Sequence, residues 1–264
     1  MRVIQRFTGE LGLELYYRVP QVHTICQREP CVVEITQGKE ALYPAAAEWR
    51  VVGSDEDHVS RGGRGRPDDL GVEPSRFVPE PHEPHDWQDP DVVVCPRRMD
   101  YGGLKNWDGW ADLTRNLMAS GADVVAAGAP GSSAPVHCPK AWVCARPLDA
   151  SIAAMRQARL VIATDSGLAH LAVLCGAPLL VVTYRGLVAP GPVIDSSGRK
   201  ARASYQRAGF DPQGRINRFE AANHTGSPIE YVDGWEDPTR VVEAARDMVA
   251  RAAVVSRVRR GPRD

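Results

Sequence analysis

A chain of 264 residues with 43% hydrophobic and 25% charged side chains has a globular composition, long enough for one large domain or two modest ones. Its 32 basic and 33 acidic residues leave a formal net charge of −1, a balance that does not point to nucleic acid or a membrane surface as the partner. The six cysteines form no Cys-x-x-Cys pair and several sit in apolar runs, so free thiols rather than a disulfide framework are expected. With no signal-peptide core and no apolar run of membrane-spanning length, the expected location is the cytoplasm.

In chain order, "RVIQRF" (2–7) reads as a strand, "LGLELYYRV" (11–19) as the start of a helix and "CVVEI" (31–35) as a strand. "GKEALYPAAA" (38–47) follows as a short helix and "WRVVG" (49–53) as a strand, a compressed β-α-β-α-β pattern. Residues 54–89 are rich in Pro, Gly, Asp, Glu and His with little periodicity, and read as a long loop between lobes. Beyond it the alternation is regular: strand "DVVVC" (91–95), helix "NWDGWADLTRNLMASG" stopped by Gly121, strand "ADVVAAG" (122–128), and a short strand "AWVCA" (141–145). Next come helix "LDASIAAMRQA" (148–158), capped by Asp149 or Ser151, strand "RLVIAT" (159–164), a helix from Ser166, and strand "PLLVV" (178–182). The last element is helix "DPTRVVEAARDMVARAAVV" (237–255), with Asp237 as cap and Pro238 at its first position. Strands apolar on both faces and separated by helices predict an α/β fold whose parallel sheets are covered on both sides. The division is a reduced N-terminal lobe over 1–89 and a second lobe over 90–264.

The segment "LVIATDSGLAHLAVLCGAPLLVV" (160–182) places Asp165, Ser166, Gly167 and His170 between two apolar runs. A strand entering a helix there sets the helix N-terminus at the carboxyl edge of the sheet, where unpaired N–H groups and the helix dipole favour an anion. Ser166 adds a hydroxyl, Gly167 permits close approach, and His170 lies on nearly the same helix face one turn deeper. The plainer reading stays open: Asp165 or Ser166 as an N-cap only, His170 as a core histidine.

The segment resembles the ADP-heptose:lipopolysaccharide heptosyltransferases and their relatives, which carry Asp-(Thr/Ser)-Gly-x-x-His-Leu-Ala and then Gly-x-Pro. Here Asp165, Ser166, Gly167, His170, Leu171, Ala172, Gly176 and Pro178 fill every position. Upstream, Pro96, Lys105 and Trp107 match the family's strand, Pro, loop and Lys-x-Trp, so the likeness covers roughly residues 91–183 in order and spacing. It implies two Rossmann-like lobes of the GT-B type, with a nucleotide-sugar donor on the C-terminal lobe and acceptor and catalytic base on the N-terminal lobe.

A departing diphosphate needs a metal or protein cations and helix dipoles. No Asp-x-Asp pair stands at a strand end, so no metal and no cofactor is expected beyond the donor itself. The expected diphosphate ligands are Lys105, Ser166 and Gly167, with Arg97 beside them; Asp165 orients the turn, and His170 contacts the donor or braces it. An inverting transfer also needs a base to take the acceptor hydroxyl's proton. The family places an acid directly after a glycine near the N-terminus; here Gly12 is followed by Leu13, which leaves Glu10 or Glu14, the latter alternatively a helix-dipole partner.

The expected function is therefore metal-independent, inverting transfer of a sugar from a nucleotide-diphosphate donor to a glycan or other hydroxyl acceptor. The rivals are a nucleotide-sugar-binding protein without transfer, a transferase acting on a polymer such as modified DNA, and a GT-B epimerase, against which the motif order counts. A nucleic-acid partner rests only on the Arg-rich tail and on "RGGRGR" (61–66), both readable as solvated segments. The "HEPHD" cluster (82–86) lies in a proline-rich stretch with no second cluster at ligand spacing, and is not taken as a metal site.

Overall fold

The computed structural model describes residues 1–7, 11, 14–52, 79, 81, 90–98, 106–128, 132–138, 148–164, 166–183, 225–234 and 237–260. Two parallel sheets fall on either side of the 54–89 segment. The first has three strands, β1 (Arg2–Ile4), β2 (Cys31–Ile35) and β3 (Glu48–Val51), in the order β1-β2-β3, with Val3 opposite Val32 and Val33 opposite Trp49. Between β1 and β2 a π-helical turn (Glu14–Arg18) runs directly into helix α1 (Val19–Arg28). A 3-10 turn (Glu40–Leu42) joins β2 to β3, where a short helix was expected.

The helix predicted from residue 11 thus continues well past Pro20. Proline lacks the N–H that would bond the carbonyl four residues back, and its ring crowds that carbonyl, so a regular helix breaks there. Here Pro20 opens the regular part of α1, and the wide turn before it takes up the misfit.

The second sheet comprises β4 (Val92–Cys95), β5 (Val124–Ala126), β6 (Leu160–Ala163), β7 (Leu179–Thr183) and β8 (Ile229–Asp233), in the order β5-β4-β6-β7-β8, all parallel. Its helices are α2 (Trp110–Ala119), α3 (Leu148–Gln157), α4 (Gly167–Leu174) and α5 (Pro238–Arg260). Gly121 ends α2 as expected: at φ +87° it adopts the left-handed conformation that lets its N–H bond Met118 O. Asp237 caps α5, its Oδ1 accepting from Thr239 N–H at 3.0 Å, with Pro238 the first helical residue. Helix α3 begins at Leu148, ahead of both expected caps, Asp149 and Ser151, and the Leu148 N–H bonds Gly38 O of the first lobe at 3.2 Å. The strand expected over 141–145 lies outside the described residues.

Strand alternation divides the second sheet's side chains between two interiors. Val92, Val94, Val124, Ala126, Leu160, Ile162, Leu180 and Val182 point to one face, where Trp107, α2 and α5 cover them. Val93, Cys95, Val125, Val161, Ala163, Leu179 and Val181 point to the other, beneath α3 and α4. That second interior does not stop at the sheet. It runs on through Leu15, Val19, Val22 and Ile25, through Leu42 and Tyr43, to Ile4, Val33 and Ile35 of the first sheet. The two lobes share one continuous core. Among the described residues, no helix is long and apolar enough to cross a membrane.

Candidate functional site

The strand order β5-β4-β6-β7-β8 reverses between β4 and β6: the chain leaves β4 toward β5 on one side and returns to β6 on the other. In an open parallel sheet the loops diverge at such a point and leave a crevice outside the carboxyl ends of the strands, where ligands bind. Cys95 of β4 stands opposite Ala163 of β6, so the described residues that follow, Pro96-Arg97 on one strand and Thr164, Ser166 and Gly167 on the other, flank that crevice.

On the β6 side, Ser166 is the N-cap of α4, extended at φ −151° and ψ 166°, and its Oγ accepts from the Ala169 N–H at 3.3 Å. Ser166 is thus the N-cap that the sequence allows, and this capped start of α4 stands at the carboxyl edge of the sheet. Helix α4 is apolar nearly all round because its residues from Ala169 to Leu174 are all buried, between the second sheet and the π-helical turn of the first lobe. His170 sits one turn in and is only 5% exposed, its N–H directed to Ser166 O at 3.3 Å. Gly167 faces the first lobe: a Cβ on it would lie 3.0 Å from the Leu11 Cβ. Thr164 is fully buried at the end of β6, and its hydroxyl has no hydrogen-bond partner among the described residues. Asp165 itself lies outside the described residues.

On the β4 side, Arg97 is half-buried, and its Nη1 donates to Asn106 Oδ1 at 2.7 Å. The loop after β5 turns back beside it: Arg97 bridges Ser133, Arg98 N–H bonds Ser132 O at 2.8 Å, and Ala134 N–H bonds Pro96 O at 2.6 Å. Lys105 lies outside the described residues, next in sequence to the Asn106 that Arg97 holds. Trp107 anchors this segment from behind. Its indole N–H bonds Gly234 O at 3.0 Å, and its ring meets Trp110 edge-on at 5.0 Å between centroids. A Cβ at Gly109 would run into the Trp107 ring, and one at Gly234 into the Val241 side chain of α5.

On the first lobe, Glu10 lies outside the described residues. Glu14 is described, and it does not face open solvent: it is 3% exposed, its Oε2 accepts from Lys39 Nζ at 2.7 Å, and its Oε1 from the Tyr43 hydroxyl at 2.7 Å. Lys39 and Tyr43 are themselves 3% and 4% exposed. Burial, and then the Glu14 carboxylate beside it, hold the Tyr43 phenol well above its usual range. Glu14 is thus one member of a buried ionic cluster. Neither Lys39, Asn106, Thr164 nor Leu11 was singled out from sequence; only the Lys105–Trp107 pattern around Asn106 carried a signal.

No family model matches the sequence, and no curated protein matches it. Solved structures match in fold. The dodecameric iron-containing heptosyltransferase TibC in complex with ADP-D-β-D-heptose aligns at 16% identity over 95% of this chain and 76% of its own, with a TM-score of 0.52. The TibC glycosyltransferase from enterotoxigenic E. coli H10407 aligns over the same shares at 16% identity with a TM-score of 0.53. E. coli ADP-heptose lps heptosyltransferase II aligns at 14% identity over 95% of this chain and 99% of its own, with a TM-score of 0.46. At these identities the likeness establishes the fold: an α/β chain with the two Rossmann-like parallel-sheet lobes of the GT-B heptosyltransferases.

Proposed function

We propose that this chain is a glycosyltransferase that moves a sugar from a nucleotide-diphosphate donor to a hydroxyl acceptor with inversion and without a metal. The observation that carries this reading is the meeting of Arg97 and the Ser166-capped start of α4 on the two sides of the switch point, in a chain of heptosyltransferase fold. A guanidinium on one side and the positive end of a helix on the other suit a diphosphate. Residues 90–264 form the donor side, with Lys105 and Gly167 as further diphosphate ligands. Asp165 orients the turn, and the buried His170 braces α4 from within. The ADP-D-β-D-heptose of the TibC complex makes ADP-sugars the first donors to try.

Residues 1–89 form the acceptor side. The acceptor oxygen attacks the anomeric carbon as the bond from that carbon to the phosphate oxygen breaks. The nucleoside diphosphate leaves, its charge held by Arg97, Lys105 and the α4 terminus. The acceptor proton goes to a carboxylate, and Glu10 takes that role in preference to Glu14, whose two oxygens are engaged with Lys39 and Tyr43. The test is incubation with ADP-sugars and a panel of glycan acceptors under chelation, with product anomers resolved by NMR. A product of opposite anomeric configuration supports the reading, and a retained configuration or a strict metal requirement contradicts it.

The engagement of Glu14 also favours a second reading, donor binding without transfer. Donor binding with no turnover toward any acceptor, unchanged by Glu10→Gln, would select it.

A further inference from the structure

The buried Glu14–Lys39–Tyr43 cluster has no part in the chemistry just described, and stability alone does not account for it. Two charges taken from water lose several kcal/mol of hydration apiece, and well-packed apolar residues of the same volume are commonly as stable or more so. What distinguishes the cluster is its placement. Glu14 is the first residue of the π-helical turn, three positions after Leu11, and that turn packs against α4. Its partner is fixed from elsewhere: the Lys39 N–H bonds Thr36 O at 3.3 Å, its carbonyl accepts from Leu42 N–H at 3.0 Å, and the neighbouring Gly38 carbonyl is tied to the start of α3. The far end of the turn is held as well, Arg18 Nη2 donating to Gln5 O at 2.7 Å.

A π-helical turn carries one more residue than an α-helical turn spanning the same rise, so relaxation to α-helix would rotate everything before it by roughly 100° about the axis. Leu11 lies on that side. The contact it makes with Gly167, at the terminus of α4, therefore depends on the turn keeping its π form.

We propose that Lys39, acting through Glu14, is a positioning residue: the buried pair holds the π-helical turn in the phase that seats Leu11 on Gly167 at the diphosphate end of α4. The link to ligand binding rests on the donor-site reading above, but the placement of Leu11 does not, and the two are tested separately.

Placement is read by disulfide crosslinking of the pair Leu11→Cys/Gly167→Cys with oxidised glutathione, followed by mass spectrometry of the linked peptides. Each bond formed reduces one glutathione disulfide to two thiols. The facing Cβ positions are close enough for a bridge with a small backbone adjustment. The crosslink is expected to form readily with Glu14 and Lys39 present, and roughly tenfold more slowly in Glu14→Gln/Lys39→Met, which removes both charges and keeps a polar atom for Tyr43. Lys39→Met alone leaves a buried unpaired carboxylate and is expected to fold poorly, so the neutral double variant carries the test. On chains without the introduced cysteines, calorimetry with ADP, UDP, GDP and dTDP gives the second readout. The tightest of them is expected to bind roughly tenfold more weakly to the double variant. Equal crosslinking rates with and without the ion pair would overturn the positioning role, whatever the nucleotide result. A double variant that does not fold would make the pair a stability element and overturn it too. Slower crosslinking in a chain that binds none of the nucleotides would uphold the positioning role and sink the donor-site reading alone.

Discussion

Leu11 of the first lobe rests on Gly167 at the start of α4, so closely that a Cβ at position 167 would stand 3.0 Å from the leucine Cβ and 3.1 Å from Cγ and Cδ2. Few real contacts of a Cβ are that short. Gly167→Ala should therefore cost about 1–3 kcal/mol through overpacking. Leu11→Ala in the same chain removes Cγ and Cδ2 but keeps the Cβ, so it should return only part of that loss. Thermal denaturation of the two single variants and the double checks this, and a double variant whose loss is the sum of the singles would contradict the contact.

Ser166 separates capping from ligand binding. Ser166→Ala removes the acceptor for Ala169 N–H and should cost about 1 kcal/mol of stability. Ser166→Asp keeps a good cap and favours the helix dipole, so its melting temperature should stay near wild type. It also puts a negative charge where a diphosphate is expected, so nucleotide affinity should fall by more than in Ser166→Ala. Binding isotherms measured beside melting curves show whether the two properties part in this way.

The second sheet was legible because its strands are buried on both faces and so read as unbroken apolar runs: Val92–Cys95, Leu160–Ala163 and Leu179–Thr183 all stand where the sequence puts them. Strand β8 was not. Its Ile-Glu-Tyr-Val-Asp mixes acids with apolar residues because it is an edge strand, half-exposed along its described side chains. Pro20 hid the continuation of α1 because a proline ordinarily breaks a regular helix, and a π-helical turn leaves no periodic trace in a short segment. Arg97 and Ser166 could be picked out from sequence because both lie just beyond strands. Glu14 could not be assigned from sequence, because its fate depends on Lys39 and Tyr43, 25 and 29 residues away. Long-range pairing of that kind is fixed by tertiary packing, not by local pattern.

Trp107 is the structural member of the Lys-x-Trp pattern. Trp107→Phe keeps most of the ring but leaves Gly234 O buried without its donor, which should cost about 1–3 kcal/mol. Trp107→Ala should cost about 3–5 kcal/mol and loosen neighbouring Asn106, the partner of Arg97. Urea denaturation of both variants, with nucleotide affinity measured on the surviving folded protein, tests the order. Equal stability losses would show that the hydrogen bond, not the ring, carries the contribution.

Alkaline stability follows from buried groups that ionise late. Burial pushes the Cys175 thiol from 9.0 up to about 12, and Cys26 likewise rises to about 12, through burial first and then its hydrogen bond with the free Cys31 thiol. Tyr43 also lies above its ordinary 10.0. Each is an acid that the folded state keeps protonated while the unfolded chain releases the proton. The stability they contribute is complete below pH 9 and is lost as pH rises from 9 to 12. Cys175→Ala should make that fall shallower by up to about 1.4 kcal/mol per pH unit, one proton's worth. Denaturation midpoints at half-unit steps from pH 8 to 11 give the slope, and an unchanged slope would contradict the burial of this thiol.

The central claim is that the crevice between β4 and β6 holds the diphosphate of a nucleotide sugar. The most direct measurement is calorimetric titration of the wild-type chain with ADP-, UDP-, GDP- and dTDP-sugars in chelator, beside Arg97→Ala, Lys105→Ala and Ser166→Asp. Saturable binding of at least one donor, weakened in all three variants while their folds persist, is the predicted result. Binding that all three variants leave unchanged, or no binding of any donor to the wild type, would contradict it and leave Ser166 as a helix cap alone.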